Sequence, residues 1–280
     1  MDSILIVGAN SFLAKYIVDN NTENVVDGIF NLQKPTNSNY NNLFSVQELK
    51  NITYQYDKIF LLASFIPYGK MNEANPNLIT SNIDLISQVS KNFPSSKIIF
   101  ASSVSVYGEN QQFPLSIDSA FKNPNLYGLS KLAGETIIKN HAKYGIIRFS
   151  SLYGIGMNKQ TFLPKVIQSA IIKNKITVFG DGSRLQDYFH VADAARLCMS
   201  VSEYPQNDTF LGVQGSSVSN LEVVKAIKKA IPNLKINFEG EDKTPSFVYQ
   251  NKSTSEKLNF TPKYNLETQI KNLIFHEKNN

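Results

Sequence analysis

The chain has 280 residues, 42% of them apolar and 18% charged, with a net charge of +5. That balance excludes a disordered chain and leaves room for one large domain or two unequal ones around a well-buried core. Arginine occurs only at Arg148, Arg184 and Arg196 and the lysines are dispersed, which argues against a nucleic-acid partner and for a mildly basic surface suited to an anionic ligand.

Ile4 to Val7 form a short apolar run, the mark of a strand buried on both faces. Gly8-Ala9-Asn10-Ser11 then turns the chain into a helix with apolar Phe12, Leu13, Tyr16 and Ile17. Strand, small-residue turn and helix open a βαβ unit, and the helix N-terminus offers free N–H groups to a phosphate. A dinucleotide fingerprint places glycine at three points; here only Gly8 is glycine, and Ser11 and Ala14 are small enough to allow close approach. The next strand ends in Gly28 to Asn31. Asn31 lies 23 residues after Gly8, where an acidic residue ordinarily accepts from the adenosine ribose. A neutral Asn31 followed by Lys34 tolerates a 2′-phosphate, so these residues lean towards NADP. The Asn-rich stretch 36–42 reads as a loop.

Residues 58–63 (KIFLLA) make a further apolar strand, left through a loop at Ser64 to Pro67. Leu78 to Val89 reads as an amphipathic helix carrying Asn82. Residues 97–101 are a buried strand that delivers Ser102 and Ser103 to its C-terminal end, the edge where open parallel sheets bind ligands. Asn123 reads as a helix cap with Pro124 at the first helical position. Tyr127 and Lys131 then lie one turn apart on one face. A cation beside a phenol favours the phenolate and brings a group that titrates near ~10 closer to neutral-pH proton transfer. Taken alone, that spacing reads as a solvated helix with a chance pair. Gly145 closes the helical pattern, and Ile146 to Phe149 give one more strand.

Strands alternating with helices predict an α/β fold, a Rossmann-type doubly wound parallel sheet. From Gly154 the pattern changes: helices over Phe162–Ile172, Leu221–Ile231 and Leu266–Phe275 alternate with short strands at Thr177–Phe179 and Asp187–Val191. The expected organisation is a domain over 1–155, rejoined by 185–215, with a smaller interleaved lobe from 156–184 and 216–280. The single Cys198, between Leu197 and Met199, excludes an internal disulfide framework and reads as a small buried residue. His190, in an apolar strand, reads as structural, and His141 as a complement to a helix dipole. No metal-ligand spacing is present. No apolar run is of membrane-spanning length and no export signal opens the chain, so a cytoplasmic protein without a membrane partner is expected.

Seven motifs follow one another: GANSFLA at 8–14, LLAS at 61–64, SSVSVYG at 102–108, YGLSK at 127–131, RFSSLYGIG at 148–156, VFGDGSRLQDYFHVADAA at 178–195 and LGVQGSSVSNLEVV at 211–224. In this order, over nearly the whole chain, they resemble the extended short-chain dehydrogenase/reductase family, in its branch of nucleotide-sugar epimerases, dehydratases and reductases. Their joint occurrence overturns the bland reading of the Tyr127/Lys131 pair. The resemblance implies that Tyr127 is the general acid/base, that Lys131 holds the nicotinamide ribose, and that Ser103 hydrogen-bonds the reacting sugar oxygen. It implies a NAD(P) site formed by Gly8, Asn10, Ser11, Phe12, Leu13, Asn31, Lys34, Leu62, Ala63, Ser64, Asn82, Ala101, Tyr127 and Lys131. The expected partner is a nucleotide-sugar substrate, bound by Ser103, Ser151, Arg184 and Gln186 in the cleft between the sheet and the smaller lobe, and a homodimer is expected.

The departures are informative. Val104 and Ser105 follow the catalytic hydroxyl where dehydratases of the family carry an acidic pair, so 4,6-dehydration is not expected. Gln186 stands where many relatives place an arginine on the diphosphate, Arg184 lies two residues earlier, and Ser151 replaces a frequent asparagine. Three readings follow: a reductase of a nucleotide-linked 4-keto sugar, a 4-epimerase that keeps NAD bound, and a non-catalytic NAD(P)-binding sensor or scaffold. Asn31, Lys34 and the chain's length lean towards the reductase.

Overall fold

The computed structural model describes residues 2–21, 24–36, 39–67, 75–110 and 112–279. Its strands are β1 (Ser3–Val7), β2 (Val25–Phe30), β3 (Leu43–Ser45), β4 (Lys58–Leu61), β5 (Lys97–Ser103), β6 (Tyr144–Phe149), β7 (Ser151–Tyr153), β8 (Lys175–Phe179), β9 (Leu185–Gln186), β10 (Tyr188–His190), β11 (Asp208–Gly212), β12 (Val218–Ser219) and β13 (Lys235–Glu239). The helices are α1 (Phe12–Asp19), α2 (Pro76–Ile79), α3 (Leu85–Asn92), α4 (Leu126–Lys139), α5 (Phe162–Lys173), α6 (Val191–Glu203), α7 (Asn220–Ala230), α8 (Lys252–Leu258) and α9 (Leu266–Lys278). Seven strands form one parallel sheet in the order β11-β6-β5-β4-β1-β2-β3.

The apolar runs form these strands because both sheet faces are covered. In β1, Ile4 and Ile6 point into one core with α1 and α6, while Leu5 and Val7 point into another with α3 and α4. A separate core joins Leu163, Val166, Ile176, Val223, Ile227 and Ile270 of the chain's second half. The chain leaves β1 for β2 on one side and returns at β4 on the other. A crevice opens at such a switch point, outside the carboxyl ends of the strands.

Four local expectations are corrected. The cap of α4 is Asn125, whose side chain accepts from Gly128 N–H; Asn123 adopts left-handed φ 46° instead. Lys122 is pinned to Tyr107 and Glu109 by two main-chain hydrogen bonds, so the chain turns at Asn123 before it coils. The helix ends at Lys139, and Gly145 sits inside β6, where a Cβ would lie 2.2 Å from Val201 Cγ1. Close packing of α6 on the sheet, not helix termination, requires that glycine. Val191 opens α6 rather than extending a strand, and the His190 ring caps it by accepting from Ala192 N–H. His141 is buried: its Nε2 faces the Ser96 carbonyl at 2.8 Å and Nδ1 the Ser90 hydroxyl at 3.1 Å, so it ties α3 to the entry of β5. Since the carbonyl only accepts, Nε2 donates to it.

Candidate functional site

A cavity of about 620 Å3 opens at the switch point, lined by Gly8, Asn10, Ser11, Asn31, Ala63 and Ser64 among others. Gly8 has φ +100°, and a Cβ there would stand 2.6 Å from Ala63 N and 2.9 Å from Ala63 Cα. The turns after β1 and β4 therefore touch backbone to backbone, which only glycine permits. Ser11 caps α1 by accepting from Ala14 N–H at 3.1 Å, and the remaining free N–H groups of the first turn point towards the cavity end of the helix. A phosphate-bearing dinucleotide fits this cradle.

The other predicted cofactor residues divide by what their side chains do. Leu13 and Leu62 are buried in the sheet core, so these two present main chain only, and Phe12, partly buried, packs against that core. Lys34 is exposed and directly follows the lining residues Asn31, Leu32 and Gln33, and it adds a small downward pull on the Glu48 carboxyl after the larger effect of the Ser45 hydrogen bonds. Asn82 lies in a π turn between α2 and α3 and is fully buried. Its oxygen accepts from Phe65 N–H and the Ser64 hydroxyl, and its NH2 donates to Phe65 O and Ser130 Oγ. With every polar position taken, Asn82 positions the Ser64–Phe65 loop and cannot itself reach a ligand.

Next to this cradle, β5 and α4 bring Ser103, Tyr127 and Lys131 together. Ser103 ends β5, where its oxygen accepts from Ser105 N–H at 3.1 Å and so caps a 3-10 turn over Val104–Tyr107. Gly128 lies against this turn: a Cβ would stand 2.3 Å from the Ser105 carbonyl oxygen. That contact draws the first turn of α4 against the Ser103 loop and brings Tyr127 with it. Lys131 Nζ donates to Ala101 O at 2.8 Å and stands 6.0 Å from the Tyr127 ring centre. Burial pushes its ammonium down to about 7, against the opposing pull of Glu135. The Ser130 hydroxyl donates to Tyr127 O and accepts from Asn82, so the cofactor loop and α4 share one network.

Towards the second half, the substitutions at 151 and 186 meet: Gln186 Nε2 donates to Ser151 Oγ at 2.6 Å. Arg184 immediately precedes β9, which carries Gln186. Arg184 Nε and Tyr188 Oη are buried without a hydrogen-bond partner among the described residues. Asp187, beside them, accepts from Ser150 Oγ, Gln214 N–H and Gly215 N–H, and burial raises its carboxyl despite those bonds.

A model of the NAD dependent epimerase/dehydratase family matches residues 4–210. The chain belongs to this family. It is 26% identical to a putative UDP-glucose 4-epimerase of Methanocaldococcus jannaschii, with 99% of each chain covered. Among solved structures, a UDP-N-acetylglucosamine 4-epimerase from Methanobrevibacter ruminantium M1 in complex with UDP-N-acetylmuramic acid superposes with a TM-score of 0.87, 21% identity and 99% of each chain covered. A UDP-glucuronic acid 4-epimerase from Bacillus cereus in complex with NAD gives 0.84 and 21%, covering 98% of this chain and 99% of that one. These two show the shared fold.

Sequence reading missed a buried cluster behind the family motif: Ser102, Tyr107, Glu135 and Arg148. Two signals were available, a charged Arg148 inside an apolar strand and an acid one turn beyond Lys131. Among the described residues, no helix is long and apolar enough to cross a membrane.

Proposed function

We propose that this protein is an NAD-dependent UDP-sugar 4-epimerase. The observation that carries the reading is the convergence of Ser103, Tyr127 and Lys131 at the end of β5, beside the cradle built on Gly8 and Ser11. One point favours epimerisation over reduction of a free 4-keto sugar: the relative matched over 99% of each chain is a putative UDP-glucose 4-epimerase. When bound, NAD supplies a hydride acceptor and donor for the sugar's C4. The residues do the rest. Tyr127 takes the C4 hydroxyl proton and returns it, Ser103 donates a hydrogen bond to the same oxygen, and Lys131 stabilises the phenolate and holds the nicotinamide ribose. Positioned groups of this kind typically contribute ~10²–10⁴-fold. The hydrophobic Val104 and neutral Ser105 offer no acid for water elimination. Residues 1–155 with 185–215 hold the cofactor and contribute the Ser151–Gln186 pair, which meets the nucleotide together with Arg184 of the remaining lobe.

The test is incubation with UDP-glucose and NAD, without external reductant, and chromatographic detection of the C4 epimer. Tyr127→Phe is expected to lower turnover at least ~10²-fold with NAD binding retained. Stoichiometric NADPH consumption with a UDP-4-keto sugar, and no epimer from UDP-glucose, would replace this reading with the reductase.

A further inference from the structure

The cluster behind the site is a charge pair in a place that costs stability. Glu135 and Arg148 side chains are 1% and 4% exposed. Glu135 Oε1 accepts from Ser102 Oγ at 2.6 Å and Arg148 Nε at 2.9 Å, and Oε2 accepts from Arg148 Nη2 at 2.7 Å. Arg148 Nη1 continues to Tyr107 Oη at 2.9 Å and Ile117 O at 3.3 Å. Its guanidinium carbon lies 5.0 Å from the Tyr107 ring centre and 4.9 Å from that of Phe121. Apolar side chains of similar volume would serve a core at least as well as a buried ion pair. The location is specific, however. Glu135 follows Lys131 by one turn of α4, and Arg148 pairs with Ser102 across β5 and β6. Ser102 sits between Ala101, whose carbonyl receives Lys131, and Ser103.

We propose that Glu135 and Arg148 are positioning residues for proton transfer, in which the carboxylate anchors the end of β5 through Ser102 and keeps Lys131 charged, while Arg148 aims and balances the carboxylate. The role assigned to Lys131 rests on the epimerase reading above. The groups facing Lys131 are few. Its own helix brings Tyr127 and Glu135, and β5 brings the Phe100 ring at 5.0 Å and the Ala101 carbonyl. Arg148 on β6 stands behind Glu135 and is itself held by Tyr107 from the turn after β5. Burial favours the neutral amine, and Glu135 is the opposing influence.

The charges can be removed one at a time. With lysine labelled at ¹³Cε and its signal assigned through Lys131→Arg, NMR titration of the NAD-loaded protein reads the protonation of Lys131 directly. Arg148→Gln leaves an uncompensated carboxylate and is expected to move the Lys131 midpoint up. Glu135→Gln leaves an uncompensated guanidinium and moves it down, by about 1 pH unit or more. Glu135→Gln/Arg148→Met leaves no orphan charge, so it stays folded if the single variants do not, and is expected to fall between wild type and Glu135→Gln. A Lys131 midpoint identical in wild type and the double variant overturns the proposal. In parallel, the alkaline limb of kcat/KM for UDP-glucose is expected to follow the same order, which loss of packing alone would not produce. If wild type forms no epimer while the midpoints keep their order, the epimerase reading fails and the charge arrangement stands.

Discussion

Gly128→Ala puts one methyl group where α4 meets the Ser103 turn. The added carbon would lie 2.3 Å from the Ser105 carbonyl oxygen and 3.1 Å from Pro124 Cβ, with rigid backbone on the near side. Reaching an ordinary contact of 3.4 Å requires a retreat of about 1 Å between helix and turn. Alanine is worth up to about 1 kcal/mol over glycine in a helix, and overpacking costs ~1–3 kcal/mol, so the expected net loss of stability is about 0–3 kcal/mol. Function is more sensitive. The displacement falls between Ser103 and Tyr127, which must meet the same oxygen, and a misplacement of ~1 Å can cost about 10²-fold. Gly134→Ala, further along the same helix, is the comparison: its Cβ would meet Ile86 Cδ1 at 2.7 Å, Phe100 Cζ at 2.9 Å and the Asn82 carbonyl at 3.3 Å, and not the Ser103 turn. The assay is kcat for C4 epimerisation of UDP-glucose, with NAD affinity and the melting temperature measured on the same preparations. Turnover down ~10²-fold with a melting point within a few degrees supports the geometry. Turnover within threefold of wild type would show that this contact does not set the distance between the two catalytic groups.

Gly8→Ala, with Cβ 2.6 Å from Ala63 N at φ +100°, is expected to weaken NAD binding at least tenfold in calorimetry; unchanged affinity would move the cradle elsewhere. Lys131 has a folded midpoint of about 7, below its ordinary 10.5, so the unfolded chain binds more protons between these values and stability rises with pH across that window. Relative to Lys131→Met, wild type should gain about 1.4 kcal/mol per pH unit from pH 7 to 9 in urea unfolding, and parallel curves would refute the burial of a titrating ammonium. Arg184→Ala is expected to raise KM for UDP-glucose roughly 10- to 150-fold, through loss of contacts worth ~1.5–3 kcal/mol, with kcat nearly unchanged. An unchanged KM would remove Arg184 from the nucleotide site.

Apolar runs, small-residue turns and helical spacing carry the alternation of strands and helices, because burial on both faces of a parallel sheet demands them locally. The ordered motifs, through the family resemblance they carry, single out Gly8, Ser11, Ser103, Tyr127 and Lys131 as candidate site residues and make 4,6-dehydration unexpected at Val104 and Ser105. What the linear chain could not decide is which groups satisfy each other across long separations. Asn82 is spent on Phe65 and Ser130, His141 on Ser90 and Ser96, and Gln186 on Ser151, pairings that exist only once distant segments touch. Gly145 and Gly128 read as helix punctuation or an ordinary helix position; packing against Val201 and the Ser105 carbonyl makes each a site of close approach. Lys34 follows Asn31 in sequence but stays outside the cavity lining. Glu135 and Arg148, thirteen residues apart, become one buried pair because the helix and strand that carry them pack face to face. A polar group's partner depends on distance and desolvation in the folded state, and those are properties of the tertiary structure alone.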